Sequence, residues 1–75
     1  MRLKREIFKD PFLVEMGIRI KEIRLSRGIS LIELGKICNV HFTSISKIEN
    51  GFNGSKITTL KMIADVLECD VKDFL

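Results

Sequence analysis

The chain has 75 residues, of which 45% are hydrophobic and 31% charged, with a formal net charge of +3. This length supports one domain around one core. No apolar run approaches the ~20 residues of a membrane-spanning helix, and the basic N-terminus lacks the uninterrupted apolar stretch of a secretory signal. We therefore expect a cytoplasmic protein of one domain, with no membrane partner.

The charge is unevenly spread along the chain. Residues 1–27 contain eight Lys or Arg against four acids, whereas residues 57–75 contain two against four. This asymmetry favours a partner that carries phosphates, although a basic tail is also typical of a segment that is merely solvated. We predict a basic N-terminal arm over residues 1–10, followed by a single domain over residues 11–75.

A first helix is predicted from Pro11 to Arg27. Asp10 is suited to cap its free amides, and proline is well tolerated at the first helical position. Gly28 is typical of the left-handed residue that follows a helix. Apolar residues recur at three- and four-residue spacing on one stripe, which is predicted to face the core. The stripe consists of Leu13, Met16, Ile20 and Ile23.

The second helix is predicted from Leu31 to Cys38. Ser30 and Glu33 have the spacing of a capping box, in which each side chain pairs with an amide at the helix start. Gly35 lies in the middle of this helix, where glycine costs ~1 kcal/mol relative to alanine. The cost predicts that a neighbouring helix approaches closely at Gly35. The residues predicted to face inward are Leu34, Ile37 and Cys38.

A sharp turn at Asn39-Val40 is predicted to lead into a third helix, which begins near Phe42 and ends at Asn50-Gly51. Asparagine tolerates the left-handed conformation that such a turn requires. At about 100° per residue, the inner and outer faces of this helix can be separated. The inner face holds Ile45, Ile48 and Glu49. The outer face holds Thr43, Ser46, Lys47 and Asn50.

Two further helices complete the prediction. Ser55 is suited to cap a fourth helix, and Asp70 is suited to cap a short fifth one. The stripe of the fourth helix is Ile57, Leu60, Ile63, Ala64 and Leu67. The fifth helix carries Val71, Phe74 and Leu75. Because the sequence has no strand-like alternation, the predicted fold is all-α, with five helices around one core.

Two short helices joined by a tight turn, with a small residue where they cross, form a helix-turn-helix, whose second helix enters the DNA major groove. The segments that carry a family resemblance are Ile20-x-x-Ile23-Arg24, Gly28-Ile29-Ser30, Leu34-Gly35, Asn39-Val40, Ile45-Ser46-Lys47-Ile48-Glu49-Asn50-Gly51, Leu60 with Ile63-Ala64, and Val71-x-x-Phe74-Leu75. From Met16 to Leu75 the chain resembles the Cro and lambda-repressor-like family, also called the xenobiotic response element family. The resemblance implies a five-helix DNA-binding domain with the third helix as its recognition helix.

The outer face of the third helix is the predicted base-reading surface. Thr, Ser, Asn and Lys each match a donor, an acceptor or a methyl group on a base edge with little bulk, and this face has no acid to repel phosphate. The predicted base contacts are Phe42, Thr43, Ser46 and Lys47. The predicted phosphate contacts are Lys36, His41, Asn50, Asn53 and Lys56. The resemblance implies that the segment from Asn50 to Lys56, which contains three of these residues, contacts the DNA backbone.

Three positions depart from the family pattern. Leu31 stands where relatives carry a glutamine that holds a phosphate, so we expect that contact to be missing. His41 and Phe42 stand where relatives favour Ser or Thr at the cap of the third helix, followed by Arg. Phe42 either touches a thymine methyl or packs on Leu31. His41 is either a phosphate contact when protonated or an exposed bystander, and both alternatives stay open.

The resemblance also implies an ion pair between Arg24 and Glu49 behind the recognition helix. By helical spacing, Glu49 faces inward and Arg24 lies at the edge of the core stripe of the first helix. We assign this pair a structural role.

No catalytic or metal site is predicted. One histidine and no clustered acids give no general base with an orienting partner. Cys38 and His41 form a C-x-x-H pattern, but a structural zinc needs about four ligands and the sequence has no second pair. Cys38 and Cys69 are predicted to be core residues, and no cofactor or small-molecule ligand is expected.

The predicted function is sequence-specific binding of double-stranded DNA by a transcriptional regulator, either a repressor or a controller protein, that reads an inverted repeat as a homodimer. The alternative is a protein-interaction module of the same fold with weak or lost DNA binding. Its contact patch would be the apolar group Leu31, Ile32 and Phe42.

The surface that forms the dimer has more than one candidate. The first helix carries a second apolar stripe, made of Val14, Ile18 and Leu25, and exposed apolar stripes seldom stay bare. Its cover is either the arm, through Ile7 and Phe8, or a second copy of the chain. The family resemblance implies instead a dimer interface on the fourth and fifth helices, near Val71, Phe74 and Leu75.

Overall fold

The computed structural model describes residues 10–52 and 56–75, and these form an all-α fold. Its α-helices are α1 (Pro11–Ser26), α2 (Leu31–Cys38), α3 (Phe42–Glu49) and α4 (Ile57–Leu67), followed by a 3₁₀ helix over Val71–Phe74. No strand occurs within the two described ranges. In the same ranges, no helix has the length and apolar character needed to cross a membrane. The predicted arm, with Ile7 and Phe8, lies outside the described residues apart from Asp10.

Within residues 10–52 and 56–75, the predicted fifth α-helix is wrong, because Val71–Phe74 forms a 3₁₀ helix. The amide of Asp73 donates to the carbonyl of Asp70 at 2.9 Å, and the amide of Leu75 donates to that of Lys72 at 3.1 Å. These three-residue spacings define a tighter helix than the α form. The amide of Asp70 also donates to the Asp73 carboxylate at 3.0 Å. Asp70 and Asp73 thus cap each other, and the element closes after four residues.

One core lies between the helices. It contains Met16 and Ile20 of α1, Leu34 and Cys38 of α2, Ile45 and Ile48 of α3, Leu60, Ile63, Ala64 and Leu67 of α4, and Phe74. Leu13 and Ile23 are partly buried against it. The four-residue stripe of α1 and most of the α4 stripe therefore face the core as predicted.

Two residues that were predicted to lie in the core are exposed, so these two predictions are wrong. Ile37 is 60% exposed and Ile57 is 65% exposed. In α2 the packed side is the one that holds Gly35, because the following turn lies against that glycine, and this rotates Ile37 out to solvent. Ile57 is the first residue of α4, where the helix begins beyond the core.

The helix starts follow the capping signals in the sequence. The Asp10 carboxylate accepts a hydrogen bond from the amide of Phe12 at 2.9 Å. At α2, the amide of Glu33 donates to the Ser30 hydroxyl at 3.0 Å, and the amide of Ser30 donates to the Glu33 carboxylate at 2.8 Å. This backbone bond holds the pKa of the Glu33 carboxyl below its usual value. Helix α4 is capped at Lys56 without a side-chain bond, and Ser55, its predicted cap, lies outside the described residues.

Candidate nucleic-acid interface

The turn between α2 and α3 positions α3 against the rest of the fold. Asn39 adopts the left-handed conformation, with φ of 57°, and the amide of Val40 donates to the carbonyl of Gly35 at 2.9 Å. A Cβ atom at Gly35 would lie 2.7 Å from the Val40 carbonyl oxygen and 3.2 Å from the Phe42 amide nitrogen. Glycine at position 35 therefore allows the turn and Phe42, the first residue of α3, to pack directly on α2. The close approach predicted at Gly35 is made by the turn as well as by the neighbouring helix.

The inner face of α3 is held against α1. Ile45 and Ile48 are buried in the core. A Cβ atom at Gly17 would lie 2.5 Å from the Ile48 carbonyl oxygen and would also meet the backbone of Glu49. The absence of a side chain at Gly17 thus lets the backbones of α1 and α3 approach. Sequence reasoning missed this contact, although a glycine in the middle of a helix was the same signal that was used for Gly35.

The one acid of α3 is neutralised behind the helix. Arg24 donates from Nε to Glu49 Oε2 at 2.7 Å and from Nη2 to Glu49 Oε1 at 3.1 Å. Both side chains are buried, and Arg24 Nη1 also donates to the carbonyl of Ile29 at 2.8 Å. This two-bond geometry matches the planar guanidinium to the planar carboxylate. The pair links α1 to α3 and removes a negative charge from the outward surface.

The outer face of α3 presents the residues named from the sequence. Thr43, Lys47 and Asn50 are exposed, and Ser46 is partly exposed. The Asn50 side-chain amide donates to the Ser46 hydroxyl at 3.3 Å. Lys47 carries the only charge on this face of α3, all of whose residues the structure describes. The face is therefore polar, small in side-chain volume and positively charged.

The start of α3 is capped by His41. The family resemblance placed His41 at this position, but its capping hydrogen bond was not predicted. The amide of Thr43 donates to His41 Nδ1 at 3.3 Å, and the Thr43 hydroxyl oxygen lies 2.8 Å from the same nitrogen. The rings of His41 and Phe42 stack, with centroids 5.0 Å apart and planes 23° apart. Phe42 is 40% exposed. The stacked rings of His41 and Phe42 therefore lie at the N-terminal end of α3, next to Thr43.

Two predicted phosphate contacts lie near each other. Lys36 and His41 line an open cleft of about 440 Å³ between α2 and the start of α3. The other residues of this cleft are Ile32, Gly35, Asn39, Val40 and Phe42. Lys56 is exposed at the start of α4 and Asn50 is exposed at the end of α3. Asn53, the fifth predicted phosphate contact, lies outside the described residues.

The acids of the C-terminal region lie on another surface. Asp65, Glu68, Asp70 and Asp73 surround a depression at the end of α4, together with Arg27 and Cys69. Arg27 Nε donates to the carbonyl of Leu67 at 2.7 Å and fixes one wall of this depression. Of the described residues that line it, none belongs to α3. The protein thus separates a basic, polar face from an acidic one.

The two cysteines have the character of packing residues. Cys38 is buried and Cys69 is half-buried, and neither forms a disulfide. Burial raises the pKa of the Cys38 thiol and is also the largest cause of the raised pKa of Cys69. A raised pKa favours the neutral thiol over the thiolate that binds metals. Within the described ranges, no group of three or more His, Cys, Asp or Glu is placed to hold a metal ion.

Three comparisons place this geometry among known proteins. The chain matches the helix-turn-helix family HTH_3 over residues 20–74. It is 33% identical over 60 residues to the SPbeta prophage-derived HTH-type transcriptional regulator YopO of Bacillus subtilis strain 168, which covers 80% of this chain and 86% of YopO.

Solved structures show the same fold. SinR, the master regulator for biofilm formation, in complex with DNA has a TM-score of 0.75 and 32% identity, over 79% of this chain and 95% of SinR. The restriction-modification controller protein C.AhdI from Aeromonas hydrophila has a TM-score of 0.80 and 21% identity, over 84% of this chain and 96% of C.AhdI. At that identity, C.AhdI supports the fold alone. From the match over residues 20–74 and the identity to YopO, the chain belongs to the helix-turn-helix family of transcriptional regulators.

Proposed function

We propose that this protein is a sequence-specific regulator of transcription that places α3 in the major groove of double-stranded DNA. One observation carries the proposal: α3 turns a small, polar, acid-free face outward while its single acid is buried against Arg24. A base edge offers donors, acceptors and the thymine methyl, and an α-helix fits the width of the major groove. The crystal structure of the related SinR with DNA supports the same partner.

Base reading is assigned to the outward residues Thr43, Ser46 and Lys47. Lysine is suited to the O6 and N7 acceptors of guanine, and the hydroxyls are suited to several bases. Phe42, exposed at the start of α3, is suited to an apolar contact with a thymine methyl. These residues form the group on which sequence preference depends.

Phosphate contacts are assigned to residues around α3. Lys36 and His41 share one cleft, and Asn50 and Lys56 are exposed at the far end of α3 and the start of α4. Asn53 belongs to the same proposed group. Such contacts fix the position of the protein on the duplex without carrying sequence information.

The first test compares three lysines by fluorescence anisotropy with duplexes selected from a random pool. Lys47→Ala is expected to weaken binding to the selected duplex by ~1–3 kcal/mol and to relax the preference at particular base pairs. Lys56→Ala is expected to weaken all duplexes alike, because it removes only a phosphate contact. Lys72→Ala is the matched control, since Lys72 is an exposed lysine of the 3₁₀ helix.

The affinity of Lys47→Ala for the selected duplex decides whether the outer face of α3 is assigned correctly. If Lys47→Ala folds normally and keeps wild-type affinity and base preference, the assignment of the outer face of α3 is wrong. Repeating the measurements at two salt concentrations separates the phosphate contribution, because the logarithm of the affinity falls with the logarithm of the salt concentration, with a slope proportional to the number of phosphates contacted.

We further propose that the regulator acts as a homodimer on an inverted repeat, with half-sites roughly 10 bp apart from centre to centre. One module offers few base contacts, and a two-fold pair doubles them. Among the described residues, α1 leaves Ile18 48% exposed and Leu25 58% exposed on one stripe. At the other candidate interface, Leu75 is 55% exposed, whereas Phe74 is fully buried and unsuited to contact a second copy.

Sedimentation at micromolar concentration is expected to identify the dimer surface. If α1 forms it, the pair Ile18→Glu with Leu25→Glu yields monomers while Leu75→Glu remains dimeric. If the C-terminal surface forms the dimer, Leu75→Glu yields monomers while the pair Ile18→Glu with Leu25→Glu remains dimeric. Each charge is introduced at an exposed position, so the fold of the monomer is retained. A wild-type protein that is monomeric both free and on a selected duplex contradicts the homodimer.

A protein-interaction module is the second candidate function, because Ile32 is 53% exposed beside Phe42 in the cleft of α2. Exposed apolar groups of this kind mark interaction sites. Failure of the wild-type protein to bind random duplex at either salt concentration favours this candidate over DNA binding.

A further inference from the structure

We propose that His41 determines the base preference of Thr43 by fixing the Thr43 hydroxyl as a hydrogen-bond acceptor toward DNA. This inference rests on the proposed function, since it concerns which base edge α3 reads. His41 acts through its neighbour and is therefore a positioning residue for specificity.

The first step is the protonation of the His41 ring. The backbone amide of Thr43 lies 3.3 Å from Nδ1 and donates to it. An amide nitrogen donates and does not accept, so Nδ1 must present its lone pair. A proton on Nδ1 would point at the amide hydrogen and lose the cap. In the neutral ring the proton is therefore on Nε2.

The second step is the orientation of the Thr43 hydroxyl. Its oxygen lies 2.8 Å from the same Nδ1, a length typical of a strong hydrogen bond. With the proton on Nε2, the hydroxyl is the donor in this contact, and the single lone pair of Nδ1 is shared between the Thr43 hydroxyl at 2.8 Å and the Thr43 amide at 3.3 Å. The single proton of the hydroxyl is thus directed back to His41. Thr43 is left with its oxygen lone pairs and its methyl group for a partner outside the protein.

The third step concerns the rigidity of this arrangement. The Phe42 ring stacks on the His41 ring at a centroid distance of 5.0 Å. The stacking and the amide bond together restrict rotation of the imidazole, so that Nδ1 keeps facing Thr43. Serine or threonine, the residues favoured here in the resembling family, would cap the helix with a hydroxyl that both donates and accepts. Histidine at this position differs because its capping atom only accepts.

The fourth step converts this polarity into base preference. In the major groove, adenine N6 and cytosine N4 are donors, whereas adenine N7, guanine O6 and N7, and thymine O4 are acceptors. An acceptor-only hydroxyl at Thr43 pairs with the amino groups and is repelled by the carbonyl oxygens. The base facing Thr43 is therefore expected to be adenine or cytosine.

The experiment measures base preference at one base pair with matched variants. The pair read by Thr43 is identified first, as the position whose preference is lost in Thr43→Val, a variant that keeps the shape and removes the hydroxyl. The base of that pair that faces Thr43 is the one whose removal, as an abasic site, abolishes the difference between the wild-type protein and Thr43→Val. His41→Ser keeps a cap but frees the hydroxyl proton. His41→Asn supplies a carbonyl oxygen as an acceptor cap. Affinities are then measured for duplexes that carry each of the four base pairs at this position.

Wild-type protein is expected to favour adenine or cytosine there by about threefold to tenfold, the range of one net hydrogen bond. His41→Ser is expected to lose this preference, and His41→Asn is expected to retain it. Loss of the proposed His41 phosphate contact weakens both variants on all four duplexes alike, so the comparison between base pairs is unaffected. In the Thr43→Val background, His41→Ser is expected to change nothing further at this base pair, because the effect passes through the hydroxyl.

Several outcomes overturn the inference alone. These are a wild-type preference for guanine or thymine at this position, an unchanged preference in His41→Ser, or an equal effect of His41→Ser in the Thr43→Val background. Nitrogen NMR of the free protein, at a pH where the ring is neutral, adds a test without DNA: a proton on Nδ1 of His41 also overturns it. If the wild-type protein selects no sequence from a random pool, the proposed function itself fails, and the inference with it.

Discussion

Glu49→Ala is expected to lower the free energy of unfolding by about 3–5 kcal/mol, the cost of removing one partner from a buried ion pair. The reason lies in what remains. Arg24 is 5% exposed, and after the substitution its guanidinium keeps only the bond to the carbonyl of Ile29. A charge left in that position is poorly solvated and has no counter-charge. Urea unfolding of the variant and of the wild-type protein measures the loss.

Two controls make the Glu49 result specific. Glu22→Ala removes an exposed acid of α1, and its effect is expected to stay within about 0.5 kcal/mol. A double-mutant cycle with Arg24→Ala is expected to show strong coupling, since the second substitution removes the stranded charge. Additive effects of the two substitutions would contradict the pairing of these side chains in solution.

The ion pair also bears on function, because it joins α1 to the helix proposed to read DNA. Glu49 is followed at once by Asn50, which lies on the outward face of α3 and bonds to Ser46. The pair and the close approach at Gly17 fix α3 from behind. We expect variants at Arg24 or Glu49 that remain folded to lose discrimination between sequences more than they lose phosphate contacts.

Helix boundaries were predictable because capping chemistry is local. Ser30 and Glu33 bond to each other's amides across three residues, and Asn39 adopts the left-handed form that its side chain tolerates. Each of these features depends on a few neighbouring residues, and the sequence displays them directly. The helix-turn-helix arrangement followed from two such signals placed close together.

The orientation of helices about their own axes was less predictable. A helical wheel shows which residues share a face, but the width and centre of the buried arc depend on the neighbour. Ile37 is apolar and lies near Leu34 on the wheel, and it is exposed because the turn packs on the Gly35 side of α2. The prediction of a fifth α-helix was wrong for another reason: Asp70 and Asp73 cap each other across three residues, and the segment forms a four-residue 3₁₀ helix.

The candidate site was partly predictable. The inner and outer faces of α3 followed from spacing, and the pairing of Arg24 with Glu49 followed only from the family resemblance. The resemblance placed His41 at the cap position, but its capping bond was not predicted, since histidine is uncommon among capping residues and its Nδ1 must be aimed at the amide of Thr43. The contacts to individual bases and phosphates stay predictions.

Phe74→Ala is expected to lower the free energy of unfolding by about 3–5 kcal/mol, the range for removing a buried aromatic ring. Phe74 has no exposed surface and belongs to the core cluster. The 3₁₀ helix that carries it packs against α1 and α4. Phe74→Ala would leave a cavity between the 3₁₀ helix and the two α-helices, α1 and α4. The midpoint of thermal unfolding is therefore also expected to fall.

The matched control is the adjacent residue. Leu75 is 55% exposed, and Arg19 Nη1 bonds to its backbone carbonyl at 3.3 Å and not to its side chain. Leu75→Ala is therefore expected to change stability by less than about 0.5 kcal/mol. The contrast matters for assembly, because a charge at Phe74 would unfold the monomer and mimic the loss of a dimer, whereas a charge at Leu75 tests the surface alone. Equal stability of Phe74→Ala and Leu75→Ala would show that the 3₁₀ helix is not part of the core in solution.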